Sequence, residues 1–506
     1  MELISSISDI LWTYVLLGAL LGCGVWFTIR TRFVQFRMLG EMVRLLTESA
    51  ESHKTAEAEG AESHKTAEAE GAGSTQTANV GSADVSPKQP RQKHISSFQA
   101  FAVSLATRVG TGNLAGVATA IAIGGPGSII WMWLIALLGA ATSFVESTLA
   151  QLYKQRHTDS FVGGPAYYIS KGLHKPWMAV LFAVLITLTF ALSNNSVQGN
   201  TICGAMEKAF GLDPAMMGWL LAILTLTVVF GGIQRVAHVS SVVVPIMAVG
   251  YLVLVLVVIV LNIDKVPHVL RVIIDGAFGV QQFAGGALGT TIIMGVKRGL
   301  FSNEAGEGSA PNAAATASTS HPVKQGLIQA LGVFTDTLIV CSCTAFIILI
   351  SGLYEIEGLN GIDLTQSALQ AEVGSVGPIF IAIAIFLFAY SSIIGNYYYG
   401  ETNVRYLSRG IRSARVRWWL MTVFRILSGG VMVVFGALAS LDTVWTIVDV
   451  FMALLTAVNL IAIVTLGRYA FRLLDNYLEQ RRRGVKSPVF HRSMLPEVEQ
   501  DIECWE

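Results

Sequence analysis

Charge is scarce in this chain. Only 13% of its 506 residues are Asp, Glu, Lys or Arg, against about 25% in ordinary soluble proteins, while 53% are hydrophobic and the mean hydropathy is +0.58. That balance excludes an ordinary soluble domain and implies a polytopic membrane protein. Cysteine is sparse too. Cys23, Cys203, Cys341 and Cys343 lie in apolar segments and Cys504 in the tail, without metal or redox spacing, so no disulfide framework is expected. No His-Glu-x-x-His, Gly-x-Ser-x-Gly or P-loop motif is present, so enzymatic activity is not expected. The first residues, Met-Glu-Leu-Ile-Ser, lack a basic region and a small-residue cleavage site, and the apolar run behind them reads as a retained helix. Nothing calls for a cofactor, a nucleic acid or an obligate protein partner.

What the chain has in quantity is long apolar runs. At about 20 residues per crossing, they predict about eleven spans, near 8–29, 97–123, 128–153, 177–205, 214–232, 239–262, 270–296, 326–351, 376–399, 417–438 and 443–467. Basic residues then set the orientation. Arg30, Arg32, Arg37 and Arg44 follow the first span, Lys154 and Arg156 the third, Arg235 the fifth, Lys297 and Arg298 the seventh, and Arg405, Arg409, Arg412 and Arg415 the ninth. All fall on one side if the spans alternate, whereas the segment 352–377 carries Glu355, Glu357, Asp363 and Glu372 and no base. The positive-inside rule places the N-terminus outside and the C-terminus in the cytoplasm, as in a bacterial inner membrane. Between the first two spans, Glu-Ser-His-Lys-Thr-Ala-Glu-Ala-Glu-Gly-Ala occurs twice in tandem, from Glu51 and from Glu62. The stretch is too polar to build a core and reads as a cytoplasmic loop. One His per repeat, His53 and His64, argues against a metal site.

The second span contains Val109-Gly-Thr-Gly-Asn113. Two glycines followed by an amide weaken a helix where hydrocarbon demands one, and a break is tolerable only where protein or a polar cavity satisfies the freed N–H and C=O groups. In transporters with broken helices such amides receive an anionic group and unwound carbonyls hold a cation. A glycine-rich helix contact would leave the same pair of glycines. A second interrupted segment, Phe278-Gly-Val-Gln-Gln-Phe-Ala-Gly-Gly-Ala-Leu-Gly289, lies in the seventh span. With the first helix set aside, spans two to six and seven to eleven form two sets of five, and an odd number per set forces opposite orientations. The broken helices are then the first of each set, as a 5+5 inverted repeat requires. The expected organisation is an extra N-terminal helix with its basic flank (1–37), a low-complexity loop (38–95), two five-helix repeats (96–262 and 263–467) and a cytoplasmic tail (468–506). Gln282, Gly285 and Gly286 join the first break as candidate substrate-binding positions.

The residues also carry a family resemblance. Val109-Gly-Thr-Gly-Asn-Leu-Ala-Gly-Val117, Gly124-Gly-Pro-Gly127, Gly163-Gly-Pro-Ala-Tyr-Tyr168, Gly299-Leu-Phe-Ser-Asn-Glu-Ala-Gly-Glu-Gly-Ser-Ala-Pro311 and Gly395-Asn-Tyr-Tyr-Tyr-Gly-Glu401 resemble the alanine/glycine:cation symporter family. The resemblance spans nearly the whole chain except the 50–95 loop and the extreme C-terminus. It implies an all-α membrane protein with a leucine-transporter-like core preceded by one extra helix, and sodium-driven uptake of a small neutral amino acid. Carried over position by position, the amides around Gly110, Thr111 and Gly112 meet the substrate carboxylate, while the Asn113 side chain and carbonyls near Val109 meet sodium, a hard cation that prefers oxygen. On the ninth span, Ser391 and Ser392 match a hydroxyl pair that closes a sodium site against the first broken helix.

Asn396, four residues after Ser392 and on the same face, departs from a family pattern of Trp at that position. An amide leaves more room and offers a donor and an acceptor, which makes glutamine the alternative to alanine or glycine. In span four, Asn194 and Gln198 share one face; Gln198 is expected near the substrate, with interhelical bonding as the competing reading. Glu146 and Asp336 are acids within spans three and eight to which no role is assigned, and Ser302-Asn-Glu-Ala-Gly306 reads as the cytoplasmic turn after span seven. The function that follows is sodium-coupled symport of alanine or glycine by alternating access. An ion channel is the reading from a different class and would be expected to repeat a filter loop around a pore.

Overall fold

The computed structural model describes residues 2–51, 95–157, 160–279 and 288–505. The tandem repeat, apart from Glu51, lies outside the described residues, as do Gln282, Gly285 and Gly286. Among the described residues, eight helices are long and apolar enough to cross a membrane: Ser6–Arg30, Ser128–Leu152, Pro176–Phe210, Ser240–Leu261, Pro322–Ser351, Val376–Ser408, Ala414–Leu438 and Leu441–Arg482. Each stands where the sequence predicts a span. The other three predicted spans are built differently. Span two is a pair of helices, Ser97–Arg108 and Gly112–Gly124; span five is the shorter Pro214–Val229; and span seven corresponds to Val266–Phe278 followed by Leu288–Asn303.

Local chemistry explains where the first of these pairs begins and stops. Ser96 and Gln99 form a reciprocal cap, with Ser96 Oγ accepting from Gln99 N and Gln99 Oε1 from Ser96 N, both at 3.1 Å. The helix ends when Val109 turns to extended backbone, φ −80° and ψ 93°. Helical geometry resumes in a widened π-type turn over Gly112–Gly116. Two further widened turns, Thr187–Asn194 and Phe334–Cys341, sit in neighbouring spans. Such turns slip the helical register by one residue and recur at functional sites.

The segment after span seven departs from the sequence reading. Every residue from 294 to 317 is buried, and the helix Leu288–Asn303 resumes as Ala310–Ala314 after an irregular stretch, 304–309. Ser302-Asn-Glu-Ala-Gly306 is therefore the edge of a buried helix break and not an exposed turn. Gly306 (φ 99°) and Gly308 (φ 79°) occupy the left-handed region that only glycine enters freely. At the basic end of the bundle the C-terminal tail folds back over the helix ends, Trp505 Nε1 donating to Gln151 O (3.0 Å) and Phe490 N to Ser320 O (2.9 Å).

Candidate functional site

The break at Val109–Thr111 is wholly buried, so its freed backbone groups need protein partners. Gly110 N donates to the Asn113 Oδ1 atom at 2.8 Å. Thr111 N and Thr111 Oγ1 both donate to Gln198 Oε1, at 3.0 and 2.8 Å, and Gln198 Nε2 donates to Asn194 Oδ1 at 2.9 Å. Glycine at 110 leaves these oxygens their room, because a Cβ would meet Ser392 Oγ and lie 2.9 Å from Gln198 Oε1. The predicted positions Gly110, Thr111, Gln198 and Ser392 are thus gathered at one point.

Across the break stands the helix Val376–Ser408. Ser392 Oγ lies 2.8 Å from Ala106 O, 3.1 Å from Phe388 O and 3.4 Å from Val109 O, while Ser391 Oγ lies 2.8 Å from Phe388 O and 3.4 Å from Ala106 O. Three carbonyls and two hydroxyls from two helices therefore converge. One hydroxyl hydrogen cannot serve three carbonyls, so the cluster is rich in acceptor oxygen, and neutral oxygens in this arrangement suit a hard monovalent cation. The sequence singled out Val109, Ser391 and Ser392; Ala106 and Phe388 contribute only main-chain oxygen, which no residue type announces.

Asn113 joins a second cluster. Its Nδ2 donates to Asp336 Oδ1 at 2.7 Å, and Asp336 Oδ2 accepts from Ser302 Oγ at 2.7 Å and from Thr337 Oγ1 at 2.9 Å. Asp336 is fully buried and forms no ion pair among those of the described residues. Gly112 packs against the same place, since a Cβ there would approach Phe301 and the Ser302 Cα within 3.1 Å. Phe301 and Ser302, at the end of the Leu288–Asn303 helix, thus abut the first break. Sequence reasoning left Ser302 and Asp336 without a role. The Ser-Asn-Glu-Ala-Gly motif and the isolated acid of span eight were the available signals.

The irregular stretch 304–309 is held from behind. Glu146 accepts from Gly306 N (3.3 Å) and Gly308 N (3.2 Å), and Asn459 Nδ2 donates to Glu146 Oε2 and to Gly306 O, each at 2.9 Å. Glu146 is fully buried; a carboxylate facing two free amides at a helix break satisfies both. Arg108, also buried, donates through Nη1 to Gln329 O (3.1 Å) and through Nη2 to Ser143 Oγ (3.2 Å).

Asn396 is fully buried on the Val376–Ser408 helix, and neither amide atom has a hydrogen-bond partner among the described residues. Asn195 and Asn200 are committed elsewhere, to Ser428 and to the carbonyls of Gly436 and Ala439. At the far side, Phe301 meets Trp445 edge-on at 4.6 Å. One helical turn before Phe301, Lys297 and Arg298 share Asp449, each at 2.8 Å.

Comparison with known proteins gives a consistent picture. The model described as the sodium:alanine symporter family matches residues 1–85 and 74–492. The chain is similar to the probable sodium/glutamine symporter GlnT of Bacillus subtilis, 48% identical over 500 residues, covering 98% of this chain and 94% of that one. It is 45% identical over 506 residues to the amino-acid carrier protein AlsT of Bacillus subtilis, covering 100% and 97%, and 34% identical over 497 residues to the sodium/alanine symporter AgcS of Methanococcus maripaludis, covering 96% and 99%. Among solved structures, the crystal structure of MhsT in complex with L-phenylalanine matches with a TM-score of 0.52 at 16% identity, over 76% of this chain and 96% of that chain. The likeness shows a shared leucine-transporter-type fold.

Proposed function

Because the chain belongs to the sodium:alanine symporter family, we propose that it imports a small neutral amino acid, alanine or glycine, together with sodium by alternating access. The convergence of Ala106 O, Val109 O, Phe388 O, Ser391 Oγ and Ser392 Oγ at the helix break is the observation that carries this reading. Sodium seated there gives the broken helix and the Val376–Ser408 helix a common ligand. By linkage, an ion that favours the amino-acid-binding arrangement is itself bound more tightly when the amino acid is present. The substrate carboxylate is received at the amides of the break, where Gly110 N and Thr111 N are held by the neutral side-chain oxygens of Asn113 and Gln198, and Asp336 beside Asn113 and Ser302 lowers the cost of a nearby cation. The membrane is a bacterial inner membrane, with the N-terminus outside and the basic helix ends and C-terminus in the cytoplasm.

Glutamine is the second reading, favoured by Asn396. Its unpartnered amide could pair with an amide side chain, and the relative GlnT is named for glutamine. Competition of unlabelled alanine, glycine and glutamine against labelled alanine in proteoliposomes separates the two. Inhibition by alanine or glycine at lower concentration than by glutamine supports the first reading, and the reverse order supports the second. Current without stoichiometric amino acid flux would point to a channel.

A further inference from the structure

The two Thr111 hydrogens at the break are already taken. Gln198 Oε1 accepts from Thr111 N at 3.0 Å and from Thr111 Oγ1 at 2.8 Å, with Gln198 and Thr111 both buried. A carboxylate arriving at that N–H therefore meets an occupied donor. The oxygen that occupies it is neutral and planar-amide in geometry, as a carboxylate oxygen would be, but without the charge. Gln198 is tethered by Nε2 to Asn194 Oδ1, 2.9 Å away and one turn earlier on its own helix, and the side-chain-free Gly110 leaves the room in which Oε1 sits.

We propose that Gln198 is an internal stand-in for the substrate carboxylate. Its amide oxygen holds the Thr111 hydrogens while the carrier reorients without amino acid, and the carboxylate displaces it on binding. The inference rests on the reading that this break receives an amino acid. An N–H left unpaired at bilayer depth is costly, so a carrier that must pass through an amino-acid-free step needs a temporary acceptor. Displacement is favourable because a hydrogen bond to a charged acceptor is stronger than one to a neutral acceptor. The residue has to be neutral as well, since a charged oxygen would compete with the substrate throughout the cycle. Gln198 is thereby a positioning residue whose task falls in the return of the unloaded carrier.

Two modes of transport separate this role from the alternatives. Alanine/alanine exchange uses only the loaded carrier, whereas net sodium-driven uptake also needs the unloaded return. In proteoliposomes containing the full chain, Gln198→Leu is expected to lower net alanine uptake about tenfold or more beyond any loss that it causes in exchange. Gln198→Glu, nearly isosteric, is expected to raise the alanine concentration for half-maximal flux about tenfold in both modes, as a fixed anion at the donor would. Parallel loss of exchange and net uptake in correctly inserted Gln198→Leu, or an unchanged half-saturation in Gln198→Glu, overturns the proposal. Wild-type protein that carries none of alanine, glycine and glutamine in either mode instead removes the functional reading, and the proposal falls with it.

Discussion

Asn113 and Asp336, 223 residues apart in the chain, are joined by a 2.7 Å hydrogen bond from the amide Nδ2 to the carboxylate Oδ1. Because the other face of the Asn113 amide accepts from Gly110 N, the bond fixes which way the amide points and ties the first break to the Phe334–Cys341 turn. It also places a carboxylate one side chain away from the break, since Asn113 holds both Gly110 N and Asp336.

Asp336→Asn removes that charge while keeping the size and an acceptor for Ser302 and Thr337. The expected result is a sodium concentration for half-maximal uptake raised roughly ten- to hundredfold, the loss of a charge-assisted contact being about 1.5–3 kcal/mol. Sodium titration of uptake in proteoliposomes measures it. An unchanged value would assign Asp336 to packing.

Asn113→Ala and Ser392→Ala test the two oxygen clusters separately. Each should raise the half-saturating sodium concentration by roughly tenfold or more with the protein still inserted, again from about 1.5 kcal/mol or more, Ser392 as a lost ligand and Asn113 through the Gly110 and Asp336 contacts that it holds. Normal sodium dependence in both variants would mean that these side chains only join helices.

The positions of the helices were legible because apolar length alone marks a bilayer crossing. The break at Val109–Asn113 was legible because two glycines and an amide interrupt such a run. The second break was harder. Glycines number four over 279–289 and three over 299–308, and composition could not say that the second stretch meets Gly112. The backbone of 304–309 is held by Glu146 and Asn459, 313 residues apart, and only tertiary packing brings them together. Asn194 and Gln198 were legible as one polar face, but that Gln198 bonds Thr111 depends on the Thr187–Asn194 turn and on the absence of a Cβ at Gly110.

Asn396→Trp tests whether Asn396 faces the amino acid side chain. A bulky indole beside the substrate should penalise glutamine far more than alanine or glycine, because exclusion grows with side-chain length and needs no new attraction. Competition of each amino acid against labelled substrate, at matched expression, reads the rank order. An unchanged order would turn Asn396 away from the site.

His321 offers a pH test outside the spans. It caps the helix Pro322–Ser351, its Nδ1 accepting from Val323 N at 3.2 Å, which requires a neutral ring. Burial pushes the imidazole down to about 4, below the value of about 6.5 in an unfolded chain. As pH falls from about 6.5 toward 4 the unfolded chain takes up the proton first, so this contribution to stability is whole above the window and lost through it. His321→Asn, which can cap through Oδ1, should flatten the acid-side fall of the thermal unfolding midpoint relative to wild type in detergent. Equal slopes would show that His321 does not titrate in this range.

Movement of sodium and amino acid together through the broken-helix site is what the proposed function requires. Its most direct measurement is uptake of labelled alanine into proteoliposomes under an inward sodium gradient, compared with the same gradient of choline at constant pH. Uptake above equilibrium is expected with sodium and little with choline. Uptake that is unchanged when choline replaces sodium would contradict it.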